Sequence, residues 1–224
     1  FTAETLDARA ANKTALQARF GLPPQADVPL LAIIGRLNRA KGMDLIADAI
    51  DHILDALPTQ VIVMGSGDPY YHEFFTRLQQ QYSSRVGVAL TYDPVLARQI
   101  YAGADILLMP SRSEPSGTDQ MLAMRYGCIP LARATGGLAD SVEDFDARHE
   151  RGTGFVFVRP DRWALFATVA RAVQVYQMPA AWRALQQRAM TRDFSWRAAA
   201  QKYVALYRDA IETKNRALRT ARTL

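Results

Sequence analysis

The sequence predicts an α/β fold, a doubly wound parallel sheet covered by helices on both faces. Three observations predict it. Continuous apolar runs of strand length recur along the chain, amphipathic helical stretches alternate with them, and the polar residues of chemical interest gather just after the runs. Unbroken apolar runs suit strands buried on both faces. In doubly wound sheets the ligand sits beyond the carboxyl ends of the strands.

The elements follow in order. Residues 12–20 have helical character, whereas residues 1–11 have little to pack on. Residues 30–35 (LLAIIG) read as the first strand, and residues 45–57 as a helix with Leu45, Ile46, Ala49, Ile50 and Ile53 on one face. Residues 60–65 (QVIVMG) are the second strand, closed by Gly65-Ser66-Gly67, and residues 70–82 are helical. A third strand over 86–92, a short helix over 94–102 and a fourth strand over 106–109 come next. A helix over 121–126 then places Met121, Leu122 and Met124 on one side. Short strands at 129–132 and 154–158 complete the sheet. The remainder reads as helices at 162–176, 179–191 and 195–213, the last carrying Trp196, Tyr203, Leu206 and Tyr207. That final helix, anchored by Trp196 and Tyr203, exceeds one sheet's needs, so both chain ends look like parts that meet something else.

At 224 residues, 49% apolar and 22% charged, the chain can bury a core for one large domain or two small ones. No apolar run approaches a membrane span, no signal peptide is recognisable, and the start at Phe1 suggests a fragment. Cys128 is the only cysteine, which excludes an internal disulfide, favours a reducing compartment and places the thiol as inert core. Much of the net charge of +5 lies in Lys214, Arg216, Arg219 and Arg222. No aromatic residues interleave them, so they read as the solvated end of a helix rather than as a nucleic-acid patch. His52, His72 and His149 are scattered, none at metal-ligand spacing, and read as surface residues. No Ser-His-Asp, P-loop or GxGxxG pattern is present, which argues against hydrolase, kinase and dehydrogenase chemistry.

The stretch from Pro110 to Val142 is the richest in chemistry. An exposed acid, Glu114, sits in the loop after the fourth strand, held extended by Pro115. The Pro115-Ser116-Gly117 turn opens a helix whose N–H groups and dipole suit an anion, and a second small-residue turn follows at Thr135-Gly136-Gly137. A carboxylate beside an anion site fits a ligand with both a phosphate and a hydroxyl-rich part, such as a sugar nucleotide. Arg36 and Lys41, in the first strand-to-helix loop, are suited to a diphosphate, although they also read as solvated loop cations. With the Gly117 turn added, phosphate binding is the preferred reading. Tyr92 either stacks on a nucleobase or ends its strand against the core. Asp119 would repel a phosphate, and is read instead as one half of a capping box, reaching back while Ser116 caps the helix.

Taken together, these residues resemble the C-terminal domain of bacterial glycogen synthases and plant starch synthases, retaining glucosyltransferases of the GT-B architecture. The resemblance runs almost end to end, through Gly35-Arg36-Leu37, Lys41-Gly42-Met43-Asp44, Gly65-Ser66-Gly67-Asp68, Glu114-Pro115, Arg125-Tyr126-Gly127, Thr135-Gly136-Gly137-Leu138 and Asp193-Phe194-Ser195-Trp196. It implies one Rossmann-like domain over residues 1–224, with 1–20 and 195–224 packing toward an absent N-terminal domain that carries the α-1,4-glucan acceptor site. It implies that Arg36 and Lys41 neutralise the diphosphate of ADP-glucose and, with Glu114, are the catalytic residues. Glu114 and Ser116 would hold the sugar, Gly117 and Thr118 would offer amides to the phosphate, Tyr92 would stack on adenine, and Thr135, Gly136 and Gly137 would form a donor-site loop. No metal or cofactor is implied, and no nucleic-acid or membrane partner. The implied location is the cytoplasm of a bacterium or a plastid stroma. Where the family usually has Cys-Gly-Leu-Thr this chain has Ser116-Gly117-Thr118-Asp119, so a synthase-like transferase with another donor or acceptor is the alternative. A binding module without chemistry is a further one. The domain alone is expected not to turn over.

Overall fold

The computed structural model describes the backbone of residues 1–221 and the side chains of residues 1–216. It divides into a large unit, Phe1–Thr191, and a second unit, Arg192–Leu224. Within the large unit the strands are β1 (Leu30–Leu37), β2 (Gln60–Gly67), β3 (Val86–Ala89), β4 (Ile106–Met109), β5 (Ile129–Arg133) and β6 (Phe155–Phe157). Its helices are α1 (Arg9–Arg19), α2 (Met43–Ala56), α3 (Pro69–Gln81), α4 (Pro94–Gly103), α5 (Asp119–Arg125), α6 (Gly136–Ser141), α7 (Arg162–Tyr176) and α8 (Pro179–Met190). All strand pairs are parallel, and the sheet order is β3-β2-β1-β4-β5-β6. The order reverses between β1 and β4, so the connections leaving these two strands part to opposite sides and open a crevice at their carboxyl ends.

Burial explains the apolar runs. Leu30, Leu31, Ala32, Ile33, Val61, Ile62, Val63 and Met64 are fully buried, as a central parallel sheet requires. On α2, Leu45, Ile46, Ala49, Ile50 and Ile53 are buried as the 3.6-residue period demands, and α2 packs against α7. Truncating one such residue to Ala costs about 2–5 kcal/mol. Three helices start on an aspartate: Asp68 accepts from the Tyr70 N–H, Asp93 from those of Val95 and Leu96, and Asp161 from those of Trp163 and Ala164. Each such cap is worth about 1 kcal/mol.

The bounds differ from expectation where glycines and bends intervene. β1 and β2 run on to Leu37 and Gly67, because Gly35 and Gly65 stand opposite each other in register and a Cβ on Gly65 would strike the Gly35 carbonyl. β3 ends at Ala89, short of Tyr92, which follows a bend at Thr91 and is 66% exposed, so the reading of Tyr92 against the core fails. α5 begins at Asp119 and buries Gln120, Ala123 and Met124, whereas Leu122 is exposed.

The opening segment has packing that its sequence does not reveal. Leu6 and Leu16 are buried, and α1 lies on α4. Arg9 and Lys13, 5% and 6% exposed, hold Asp105 between them at 3.2 and 2.8 Å. The rest of their capacity goes to the carbonyls of Ala104, Tyr126, Ala26 and Val28 and to the Tyr176 hydroxyl. Asp105 also accepts the Leu30 N–H at 2.9 Å, fixing the start of β1.

In the second unit α9 (Trp196–Ala221) is amphipathic, but the aromatic anchors expected of it are exposed: Trp196 by 84% and Tyr203 by 53%. Lys214 is exposed, while the side chain of Arg219 and all of Arg222 lie outside the described residues.

Candidate functional site

The crevice at the ends of β1 and β4 is built by two loops that touch. After β1, Asn38 caps a short 3-10 turn, Arg39–Lys41, by accepting the Lys41 N–H at 3.0 Å. Gly42 then turns the chain into α2 with φ +75°, and a Cβ there would collide with the Pro110 carbonyl at the end of β4. This close approach brings Lys41 Nζ within 2.5 Å of Glu114 Oε2.

Glu114 is not the exposed acid its sequence position suggests. It is 7% exposed, accepts the Ser111 hydroxyl at 3.2 Å through the oxygen that Lys41 holds, and gives its carbonyl to the Gly137 N–H at 3.0 Å. The second small-residue turn folds over it. Gly136, with φ +44°, lies against the Glu114 carbonyl and Gly137 against the Ser116 carbonyl, so neither position has room for a Cβ. Thr135 precedes α6 without capping it through its side chain.

Lys41 therefore neutralises Glu114, and its ammonium keeps two further donors on a side chain that is 34% exposed. Arg36, exposed at the end of β1 opposite Ser66, has no ion-pair partner among the described residues. Ser116 is exposed, Gly117 adopts φ +72°, and the N–H groups of Gly117 and Thr118 donate to no protein acceptor among the described residues. Tyr92 lies in the loop between β3 and α4, and no hydrogen bond or ion pair among the described residues joins it to the other candidates.

The capping box is absent. Thr118 occupies the N-cap without a side-chain bond, and Asp119 instead accepts the Tyr101 hydroxyl at 3.1 Å. The reason is the buried phenol: Tyr101 is 3% exposed, and its hydroxyl would go unpaired without Asp119. Burial and then the Asp119 charge push the Tyr101 pKa up, so this proton stays in place. His72 is not a plain surface residue either, since its Nε2 accepts the Gly67 N–H at 3.0 Å and occupies an amide of the turn after β2.

Several residues around the site carry no sequence signal. Arg112 grips Asp44 through Nε at 2.9 Å and Nη2 at 2.7 Å, and its own N–H donates to the Ala40 carbonyl. Gln120, fully buried, donates to the carbonyls of Ser116 and Gly117 and to Ser141 Oγ, joining the two small-residue turns. A cleft of about 740 Å³ lies at the amino ends of β1 and β4, lined by Arg9, Lys13, Asp105, Tyr176 and Trp182. Its buried charges, Arg9, Lys13 and Asp105, satisfy one another. Among the described residues no group of three or more His, Cys, Asp or Glu is placed to hold a metal, and no helix is long and apolar enough to cross a membrane.

Comparison with known proteins gives concordant results. The family model described as Glycosyl transferases group 1 matches residues 16–187. A glycogen synthase of Moorella thermoacetica is 43% identical over 97% of this chain, which spans 45% of that protein. A glycogen synthase of Anaeromyxobacter dehalogenans is 47% identical over 93% of this chain and 43% of its own length. Among solved structures, the catalytic domain of starch synthase IV from Arabidopsis thaliana bound to ADP and acarbose superposes with a TM-score of 0.84. The two are 37% identical, over 95% of this chain and 44% of that one. The chain thus spans under half the length of these relatives.

Proposed function

Because the chain belongs to the group 1 glycosyl transferases and has the Rossmann-like fold of one GT-B half, we propose that it is the donor-binding half of a glycogen or starch synthase. The whole protein would transfer glucose from ADP-glucose to the non-reducing end of an α-1,4-glucan with retention of configuration. The observation that carries this reading is the Lys41–Glu114 pair at the ends of β1 and β4, beside Arg36. It is supported by a relative of the same fold described with ADP and acarbose, a nucleotide and a glucan-like ligand.

In this reading Arg36 and the outward donors of Lys41 neutralise the diphosphate as it departs. Fixed charge aimed at a developing anion is worth about 10²–10³ in rate for one donor. Glu114, oriented by Lys41 and Ser111, accepts from hydroxyls of the glucose, with Ser116 beside it. The unbonded amides of Gly117 and Thr118 and the turn of Thr135, Gly136 and Gly137 close on the phosphate side, and Tyr92 stacks on adenine. Asp119, the residue that raises the question of another donor, is held by Tyr101. The reaction calls on no metal and no cofactor. The remaining half would bring the acceptor site, and residues 1–20 and 195–224 would meet it, the row Trp196, Tyr203, Tyr207 and Ile211 on α9 being exposed. This half alone would not turn over. The setting would be a bacterial cytoplasm or a plastid stroma.

Calorimetric titration with ADP and UDP tests the site. The wild-type chain should bind ADP, and an Arg36→Ala/Lys41→Ala variant should lose it. In the full-length protein, failure to extend glycogen from any glucosyl nucleotide would sink the reading.

A further inference from the structure

We propose that Arg133 is a positioning residue of the donor site, an arginine that sets the Glu114 carboxylate by holding the backbone of the loop that carries it. This rests on the donor-site reading above. Arg133 ends β5, is only partly exposed, and makes no ion pair among the described residues. Its guanidinium is spent on carbonyls instead: Nε donates to Ser111 at 2.7 Å, Nη2 to Arg112 at 2.7 Å, and Nη1 reaches Val158 at 3.5 Å. A planar fork on two consecutive carbonyls fixes the peptide plane between them, which no single donor does.

What that peptide plane controls is the site. Ser111, whose carbonyl Arg133 holds, donates its hydroxyl to Glu114 Oε2, the same oxygen that meets Lys41. Arg112, whose carbonyl Arg133 also holds, ties the loop to the start of α2, through its N–H to the Ala40 carbonyl at 2.8 Å and its side chain to Asp44. Arg133 grips the loop from the β5 side, and Ala40 and Asp44 grip it from the α2 side. Between the grips, the contacts run Arg133 to Ser111 to Glu114 to Lys41. Gly137, four residues after Arg133, donates to the Glu114 carbonyl at 3.0 Å, so the segment after β5 supports Glu114 at a second point. Without the fork the peptide after Ser111 is held from the α2 side alone, by the Arg112 N–H on the Ala40 carbonyl, and the Ser111 hydroxyl that orients Glu114 loses its setting. A lysine offers one point charge to one carbonyl at a time, so it restores the grip only in part.

The test uses the full-length protein and compares wild type with Arg133→Met, Arg133→Lys and Ser111→Ala. It reads kcat, donor KM, the inhibition constant of ADP and the thermal midpoint. A misplaced Glu114 lowers kcat by roughly 100-fold and raises donor KM in Arg133→Met, while the ADP constant, set by Arg36 and Lys41, moves less than about twofold. Arg133→Lys should fall between. Ser111→Ala should shift kcat and donor KM in the same direction with its thermal midpoint kept, which separates orientation from folding. If Arg133 is only structural, its variants lose thermal stability and active fraction while donor KM and the ADP constant stay put, and the proposal is overturned. A rise of donor KM and the ADP constant together also overturns it. Wild type that transfers from no glucosyl nucleotide overturns the donor-site reading itself, an outcome visible before any variant is compared.

Discussion

Lys41 and Glu114 are 73 residues apart in sequence and 2.5 Å apart in space, joined where the loops after β1 and β4 meet. The acid is 8% exposed at its side chain and the lysine 34%, so the carboxylate is sheltered and the ammonium faces both it and the crevice. One cation thus serves an internal anion and can serve an external one.

That sharing predicts non-additivity. If the proposed donor site holds, Glu114→Gln and Lys41→Met in the full-length protein should each lower glucosyl transfer by about 10²–10³. The double variant should be little worse than the poorer single, because either substitution already removes the pair. Steady-state kinetics of the four proteins checks this. Strictly multiplicative losses would show that the two side chains act separately.

Gly42 makes the pairing possible. Gly42→Ala should destabilise the protein by about 1–2 kcal/mol through φ alone, and further because its Cβ meets the Pro110 carbonyl. Gly21 is the control, with φ +69° and no atom within 4 Å of the point where a Cβ would stand. Gly21→Ala should therefore cost only the backbone part, roughly 1–2 kcal/mol. Urea midpoints of the two variants isolate the close approach between the loops, and equal losses would argue against it.

The Asp105 cluster makes a separate prediction about stability. Asp105→Asn leaves Arg9 and Lys13 buried and charged without an acid between them. The expected loss is about 3–5 kcal/mol. The ADP binding proposed for the site should be unaffected in the folded variant, because the cluster lies at the strands' starts and the site at their ends. A variant as stable as wild type would mean that the carbonyls alone satisfy both cations.

The fold was readable because its signals are local: strand runs, helix periods and glycine turns each sit within a few residues. The strand-end rule then placed Arg36, Lys41, Glu114 and the Gly136-Gly137 turn around one crevice from the order of the elements alone. Exposure was not readable for Glu114, since what buries it is the turn at 136–137, brought in by the β4–β5 pairing. Asp119 matched a capping pattern, but a buried tyrosine on α4 outcompeted the helix end for its carboxylate. Arg9, Lys13, Arg112 and Arg133 stand in no motif that the sequence offers. Their partners are backbone carbonyls or distant acids, which leave no spacing in the sequence.

The Asp44–Arg112 bond links stability to acid pH. Partial burial pushes the Asp44 carboxyl up, but the hydrogen bond and charge of Arg112 outweigh that and hold it below its ordinary 3.8. A carboxyl whose folded value is depressed stabilises the fold fully above its unfolded value and loses that contribution as pH falls through the folded one. The acid limb of stability below about pH 4 should therefore be shallower in Asp44→Asn than in wild type. Urea midpoints from pH 7 down to acid provide the comparison, and parallel limbs would remove Asp44 from the account.

Cys128 titrates with the opposite sign. It is fully buried, and burial, slightly offset by the Arg9 charge, pushes its thiol up to about 12. An unfolded thiol ionises near ~8.5. The folded state therefore holds the proton longer, and the contribution is complete below the unfolded value and lost as pH climbs from there toward the folded one. At pH 8 a disulfide reagent should meet a neutral, inaccessible thiol in the native protein and react only with chains that have opened. Labelling should then rise with urea in step with the loss of helical signal, at one site per chain, since Cys128 is the only cysteine. Rapid stoichiometric labelling without denaturant would instead show that the segment between α5 and β5 opens on its own. That segment leads into Arg133, so such opening would also loosen the grip proposed for the donor site.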